Sequence, residues 1–122
     1  MNKIFLNHTN HPYTKWGELQ RKAAAVYGTV MDLPFPQIPA SMDEMKVRAL
    51  AEQNAEEIIK MKPTAVLCQG EFCYTFVLTE ILKKNCIRVV CACSERCSNE
   101  RLLADGSVQK NIEFRFVRFR SY

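Results

Sequence analysis

Thr64-Ala65-Val66-Leu67-Cys68-Gln69-Gly70-Glu71-Phe72 is the stretch whose reading decides the fold class. Thr64–Cys68 is an almost fully apolar run, the pattern of a strand buried on both faces of a parallel sheet. Gln69-Gly70 then turns the chain, and Glu71–Lys84 has the length and pattern of a helix. Further alternations flank this strand-to-helix junction on both sides. Upstream, Lys3–Asn7 reads as a short buried strand. Thr14 then stands as the cap of a helix through Trp16, Leu19, Ala23, Val26 and Tyr27, which Gly28 ends. Thr29–Leu33 reads as a second strand, and Pro34, Pro36 and Pro39 keep the next stretch irregular. Ser41-Met42-Asp43-Glu44 has the form of a capping box. The helix it opens carries Val47, Leu50, Ala51, Ala55, Ile58 and Ile59 on one stripe and runs to Pro63. Downstream, Arg88–Cys93 is a further buried strand.

Strand, helix, strand, helix, strand, helix, strand predicts an α/β fold: a Rossmann-like parallel sheet with helices on both faces. Right-handed crossovers give it the order 2-1-3-4, with a switch point between the first and third strands. Ligands of such sheets bind outside the carboxyl ends of the strands at that switch. The tail is different. Ala104-Asp105-Gly106-Ser107 signals a turn between Asn99–Leu103 and Asn111–Arg120, so a C-terminal antiparallel hairpin is expected. The apolar phase changes between Phe116 and Val117, which a bulge, or a strand shared between two environments, would explain. The hairpin either lies at the sheet edge or forms a dimerising ribbon, because Phe114, Phe116 and Phe119 need cover. The reading is one domain over 1–122, with a core over 1–96 and the hairpin extension over 97–122.

Composition narrows the classes. The 122 residues are 48% apolar and 25% charged, which excludes wholesale disorder. No run of 18 apolar residues occurs, so no membrane-spanning helix is expected. Met1–Leu6 is too short and too weakly apolar for a secretory leader, so a cytoplasmic location is expected. Seventeen Lys and Arg against 13 Asp and Glu give a net charge of +4. That permits an anionic ligand, but no basic block marks a duplex nucleic-acid partner. Four of the six cysteines fall in or beside strongly apolar segments, and without a secretory leader they read most simply as small buried hydrophobes. Cys91, Cys93 and Cys97 with His8 could offer four zinc ligands, yet no Cys-x-x-Cys is present. Neither metal nor cofactor is expected.

Three segments should converge at the carboxyl edge: Asn7–Asn10, Gln69–Phe72 and Ser94–Arg96. Gly70, at a strand-to-helix turn, would aim backbone amides at an anion, or would simply make the turn tight. Arg96 and Ser94 suit a phosphate, although Arg96 could equally pair with Glu95. His8 could act as a base or be a loop histidine satisfied by backbone. Glu71 at a helix start is favoured by the macrodipole alone. There is no Gly-x-Gly-x-x-Gly, no P-loop lysine and no nucleophile elbow, and nothing marks Cys68 or Cys73 as an activated thiol. The Arg-Phe alternation over Arg115–Arg120 suggests base stacking superficially, but reads as a buried face against a solvent face.

The chain resembles the small CRISPR-associated ring-nuclease proteins of type III systems. These have the Rossmann-like fold of the cyclic-oligoadenylate sensor (CARF) domains. The opening strand running into Asn7-His8-Thr9, the strand followed by Gln69-Gly70-Glu71-Phe72 and a helix, and Ser94-Glu95-Arg96 carry the resemblance. So does the closing hairpin from Asp105-Gly106 to Phe116-Val117-Arg118-Phe119-Arg120 and Tyr122. The cysteines and the segment Pro34–Pro39 have no counterpart in it. The resemblance implies a cytosolic homodimer that binds cyclic oligoadenylate, cyclic tetra-adenylate in particular. It implies metal-independent linearisation by attack of a ribose 2′-hydroxyl on the adjacent phosphate, which would switch off a type III response. In that scheme Arg96, His8 and Glu71 are the catalytic candidates. Asn7, Thr9, Gln69, Gly70, Phe72, Ser94 and Glu95 are the substrate-binding candidates. The alternatives are a non-catalytic module that sequesters the messenger or senses another nucleotide, and a structural subunit that assembles through its hairpin.

Overall fold

The structure, a computed structural model, describes residues 2–122. Five strands form one sheet in the order β2-β1-β3-β4-β5. They are β1 (Ile4–His8), β2 (Thr29–Asp32), β3 (Ala65–Cys68), β4 (Arg88–Leu102) and β5 (Val108–Ser121). The helices are α1 (Glu18–Ala25), α2 (Glu44–Met61) and α3 (Phe72–Lys84), with a 3-10 turn at Tyr13–Lys15.

Strands β1 and β3 are central, and their near-continuous burial follows from serving both faces of the sheet. Successive side chains of β3 alternate between two cores. Val66 and Cys68 join Leu6, Ile58, Tyr74 and Leu78 beneath α2 and α3. Ala65 and Leu67 join Phe5, Trp16, Ala24 and Phe119 on the α1 side. Aromatic rings knit the second core, with Phe5 edge-on to Phe119 at 5.1 Å and stacked on Tyr27 at 5.2 Å. Gly28 is required at the exit of α1. Its φ is +148°, and a Cβ there would sit 2.5 Å from the Lys3 carbonyl oxygen.

The expected Rossmann-like parallel sheet with helices on both faces is not what forms. The sheet is mixed, because β5 runs antiparallel to β4, and the two curl into a half-barrel. The described residues form three α-helices. Helices α2 and α3 pack together over one core, and the eight-residue α1 lies over the other. Beyond Cys93 the ribbon is exposed save for the half-buried Cys97 and Phe116. The physical reason lies in β4, which continues as a strand through Ser94-Glu95-Arg96 to Leu102 instead of ending at Cys93. The outer part of β4 is mostly exposed and carries no apolar alternation, so its polar residues read as a loop. The bulge does fall where the phase change placed it. Cys93 pairs with Arg118 and Ser94 with Phe116, leaving Val117 as the extra residue.

Two helix starts also move. Helix α1 begins at Glu18 behind Gly17, not at Thr14, because the backbone is extended at Trp16 so that its indole can enter the core. Helix α2 is capped by Asp43, whose carboxylate accepts from the Lys46 amide at 2.9 Å. Ser41 is taken up in a turn in which the Met42 amide donates to the Pro39 carbonyl.

Candidate binding cleft

A cleft of about 910 Å³ opens at the carboxyl ends of β1 and β3, where the order of the strands reverses. Its walls come from four places. The loop after β1 supplies Thr9, Asn10, His11 and Lys15, and the start of α1 supplies Gly17, Glu18 and Gln20. The turn after β3 supplies Gln69 and Gly70. The ribbon supplies Ala92, Ser94, Phe114, Arg115 and Phe116.

The buried Asn7 builds the first wall. Its Nδ2 donates to the His11 carbonyl at 2.9 Å and to Asp32 Oδ1 at 2.8 Å, while its Oδ1 accepts from the Thr9 hydroxyl at 2.8 Å. The Trp16 indole N–H donates to the same His11 carbonyl at 2.9 Å. Between them they hold the backbone that presents His11 and Lys15. Gln69 fixes the opposite side by continuing the sheet with its side chain. Its Oε1 accepts from the Ala92 amide at 2.7 Å and its Nε2 donates to the Ala92 carbonyl at 3.4 Å. Gly70 is glycine because the Phe35 ring lies directly against its backbone, where a Cβ would collide with it.

The chemistry of the cleft is one of cations over an apolar floor. Leu67, Ala92 and Phe116 offer carbon surface, Lys15 brings positive charge to the rim, and Arg115 stands there 3.7 Å from the carboxylate of Glu113. The cap residue Gly17 has no side chain to satisfy the first amides of α1, so the positive end of that helix adds to the field. Glu18 is the acid of this wall, and it pairs with Lys22 at 3.3 Å.

The residues expected from sequence are sorted by this geometry. Thr9, Gln69, Gly70 and Ser94 line the cleft. Asn7 stands behind the wall as its organiser. His8, Glu71, Phe72, Glu95 and Arg96 do not line it. His8 is 1% exposed and lies among residues of the α2–α3 core. Its Nδ1 lies 2.7 Å from the Leu33 carbonyl, and its Nε2 lies 2.7 Å from the Tyr74 hydroxyl. Because a carbonyl only accepts, Nδ1 carries the proton and Nε2 accepts from Tyr74. Asn54 Nδ2 donates to the Tyr74 oxygen at 2.9 Å, completing the chain. Burial lowers the His8 pKa, so the imidazole is held neutral. Glu71 is the cap of α3, accepting from the Tyr74 amide at 2.7 Å. Phe72 is 90% exposed on the outside of α3. Arg96 and Glu95 are exposed on β4, opposite Phe114 and Arg115.

Sequence reasoning missed His11, Lys15, Gln20 and Arg115. The Asn7 and Trp16 hydrogen bonds to its carbonyl hold His11 at the edge, Lys15 follows in the 3-10 turn, and Gln20 comes from the start of α1. For Arg115 the one available signal was the phase change at Val117, which re-aims the segment before it. Of the cysteines expected to be buried only Cys68 is, Cys73 and Cys86 being exposed and the rest half-buried, and the Cys68 thiol is a poor nucleophile candidate. Burial pushes the Cys68 thiol up to about 12, and the Tyr122 hydroxyl, also pushed up to about 12 by burial, donates to the Cys68 carbonyl at 2.7 Å.

A family model described as the Uncharacterized protein MJ1673 family matches residues 3–120, and the chain belongs to that family. No curated protein and no solved structure matches the chain.

Proposed function

We propose that this member of the MJ1673 family binds an anionic nucleotide in the switch-point cleft. The ligand is of the cyclic oligoadenylate class that the sequence resemblance implies, and the protein acts by holding it. The observation that carries the reading is the cleft itself: Lys15, Arg115 and the uncapped start of α1 around the floor of Leu67, Ala92 and Phe116. Such a floor suits nucleobases and such a rim suits phosphates. Sequestration is preferred over linearisation because two of the three residues expected to drive catalysis are committed elsewhere. His8 sits in a buried hydrogen-bond chain and Glu71 caps a helix. The second reading, ring opening by the ligand's own 2′-hydroxyl, is kept alive by His11, an imidazole on the cleft wall.

The test is incubation of the purified protein with cyclic tetra-adenylate, with and without EDTA. Intact, tightly retained ligand supports sequestration. Linear products that EDTA does not suppress support cleavage, and no binding removes both readings. Lys15→Ala is expected to weaken binding by about 1.5–3 kcal/mol, the range for a hydrogen bond to a charged group. Arg96→Ala, at a position outside the cleft, and Arg101→Ala, opposite Gln109 on the outer ribbon, are expected to change it by less than about 0.5 kcal/mol. Equal losses in all three variants would mean that diffuse charge, not the cleft, binds the ligand.

A further inference from the structure

Strand β5 is the last strand of the sheet, fourteen residues long, and no strand among the described residues pairs with its outer side. Long unprotected edges are templates for another strand. Along one face of it Ile112 is 55% and Phe114 70% exposed, and Phe116 continues that face inward towards Phe119. Between these apolar residues stand Glu113 and Arg115, both exposed and 3.7 Å apart as an ion pair within the chain, which pairing with a second copy would exchange for ion pairs between chains. The segment Ile112-Glu113-Phe114-Arg115-Phe116 is therefore self-complementary when read against itself in the reverse direction.

We infer that β5 pairs antiparallel with β5 of a second copy about a two-fold axis through Phe114, making one continuous sheet across the dimer. In that register Phe114 faces the partner's Phe114. Ile112 faces the partner's Phe116, and Glu113 faces the partner's Arg115, twice by symmetry. Apolar residues meet apolar residues on one face and opposite charges meet on the other, which is the pairing that stabilises antiparallel strands. The neighbouring registers are disfavoured. Centring the pair on Glu113 opposes two carboxylates, and centring it on Arg115 opposes two guanidinium groups. The bulge at Val117 ends the regular strand just beyond Phe116 and so limits how far the pairing runs. An isologous contact of this kind closes at two copies instead of propagating. It does not depend on the ligand, so it is tested on the protein alone.

The test is a charge-swap cycle followed by sedimentation at micromolar concentration. The unaltered protein is expected to be dimeric. Glu113→Arg sets a second guanidinium against the partner's Arg115, and Arg115→Glu sets a second carboxylate against the partner's Glu113. Each is expected to raise the dimer dissociation constant about tenfold or more while leaving the far-ultraviolet spectrum unchanged. Mixing the two single variants is the decisive arm. Within each chain the charges at the two positions remain alike, both positive in one variant and both negative in the other. In the mixed pair, every cation of the first chain meets an anion of the second. Restored association on mixing shows that positions 113 and 115 of one chain meet those of the other, while the register itself rests on the behaviour of the unaltered protein, whose neighbouring registers oppose like charges. A monomeric unaltered protein, dimers insensitive to both substitutions, or no recovery on mixing each overturns the inference. The outcome is separate from ligand binding: a monomer that retains cyclic tetra-adenylate ends this inference alone.

Discussion

His8 shows how much a single buried polar side chain settles. Asn54, Tyr74, His8 and the Leu33 carbonyl form one donor-to-acceptor chain, with His8 and Tyr74 carrying it from β1 to α3. Low local dielectric makes such a chain strong when complete and costly when broken. Burial lowers the imidazole pKa in the folded state, so the unfolded chain binds the proton more tightly. The contribution to stability is therefore present above the unfolded value of about 6.5 and is lost as the pH falls from there through the lower folded value. Urea unfolding is expected to show a midpoint that drops between pH 7.5 and pH 5. His8→Gln, less stable at pH 7.5, is expected to show a smaller drop. An equal drop in both proteins would mean that other groups carry the pH dependence. In the sequence His8 read first as a loop residue satisfied by backbone, and only behind that as a base or a zinc ligand. The partners that decide among these lie 25 and 66 positions away, where local pattern does not reach.

The β4–β5 ribbon sets the character of the molecule at the scale of elements. Its inner part, through Phe119 and Val90, belongs to the aromatic core, whereas Leu102, Val108, Ile112 and Phe114 are exposed. Elements with few buried contacts open at low free-energy cost. In the Arg115→Glu protein, where the dimer contact is weakened, backbone amides beyond Ser94 and before Phe116 are expected to exchange with solvent orders of magnitude faster than those of β1 and β3. Uniform protection along β4 would show that the ribbon is stabilised within one chain. The buried strands were legible, since burial on both faces leaves an apolar run in β3 and in the start of β4. The length of β4 was not legible, because Ser94 to Arg101 satisfy their backbone by pairing with β5 and bury almost nothing. Helix starts were legible only to within a turn. Trp16 interrupts α1 for the sake of the core, and Asp43 takes the cap that Ser41 also fitted.

Taken as a whole molecule, the chain places its cleft and its free edge side by side, since Phe114, Arg115 and Phe116 belong to both. If two copies pair along β5, association and folding are linked, and the melting temperature depends on protein concentration. A tenfold increase in concentration is expected to raise it by about 2–4 °C in the unaltered protein and by less in the Arg115→Glu protein. Concentration-independent melting of the unaltered protein would leave no thermodynamic sign of the dimer. The order β2-β1-β3-β4 and the location of the cleft at its switch point rest on apolar periodicity and crossover handedness, both properties a sequence carries locally. The alternation of apolar and charged residues in β5, and the phase change at Val117, were also visible in the sequence. Tertiary structure alone decided which side chains reach the cleft. Hydrogen bonds from Asn7 and Trp16 hold the His11 carbonyl and Gln69 fixes Ala92 on the opposite wall, while His8 and Glu71 are consumed in holding elements together. A side chain's direction depends on partners distant in the chain, whereas the periodicity of its element depends only on its neighbours.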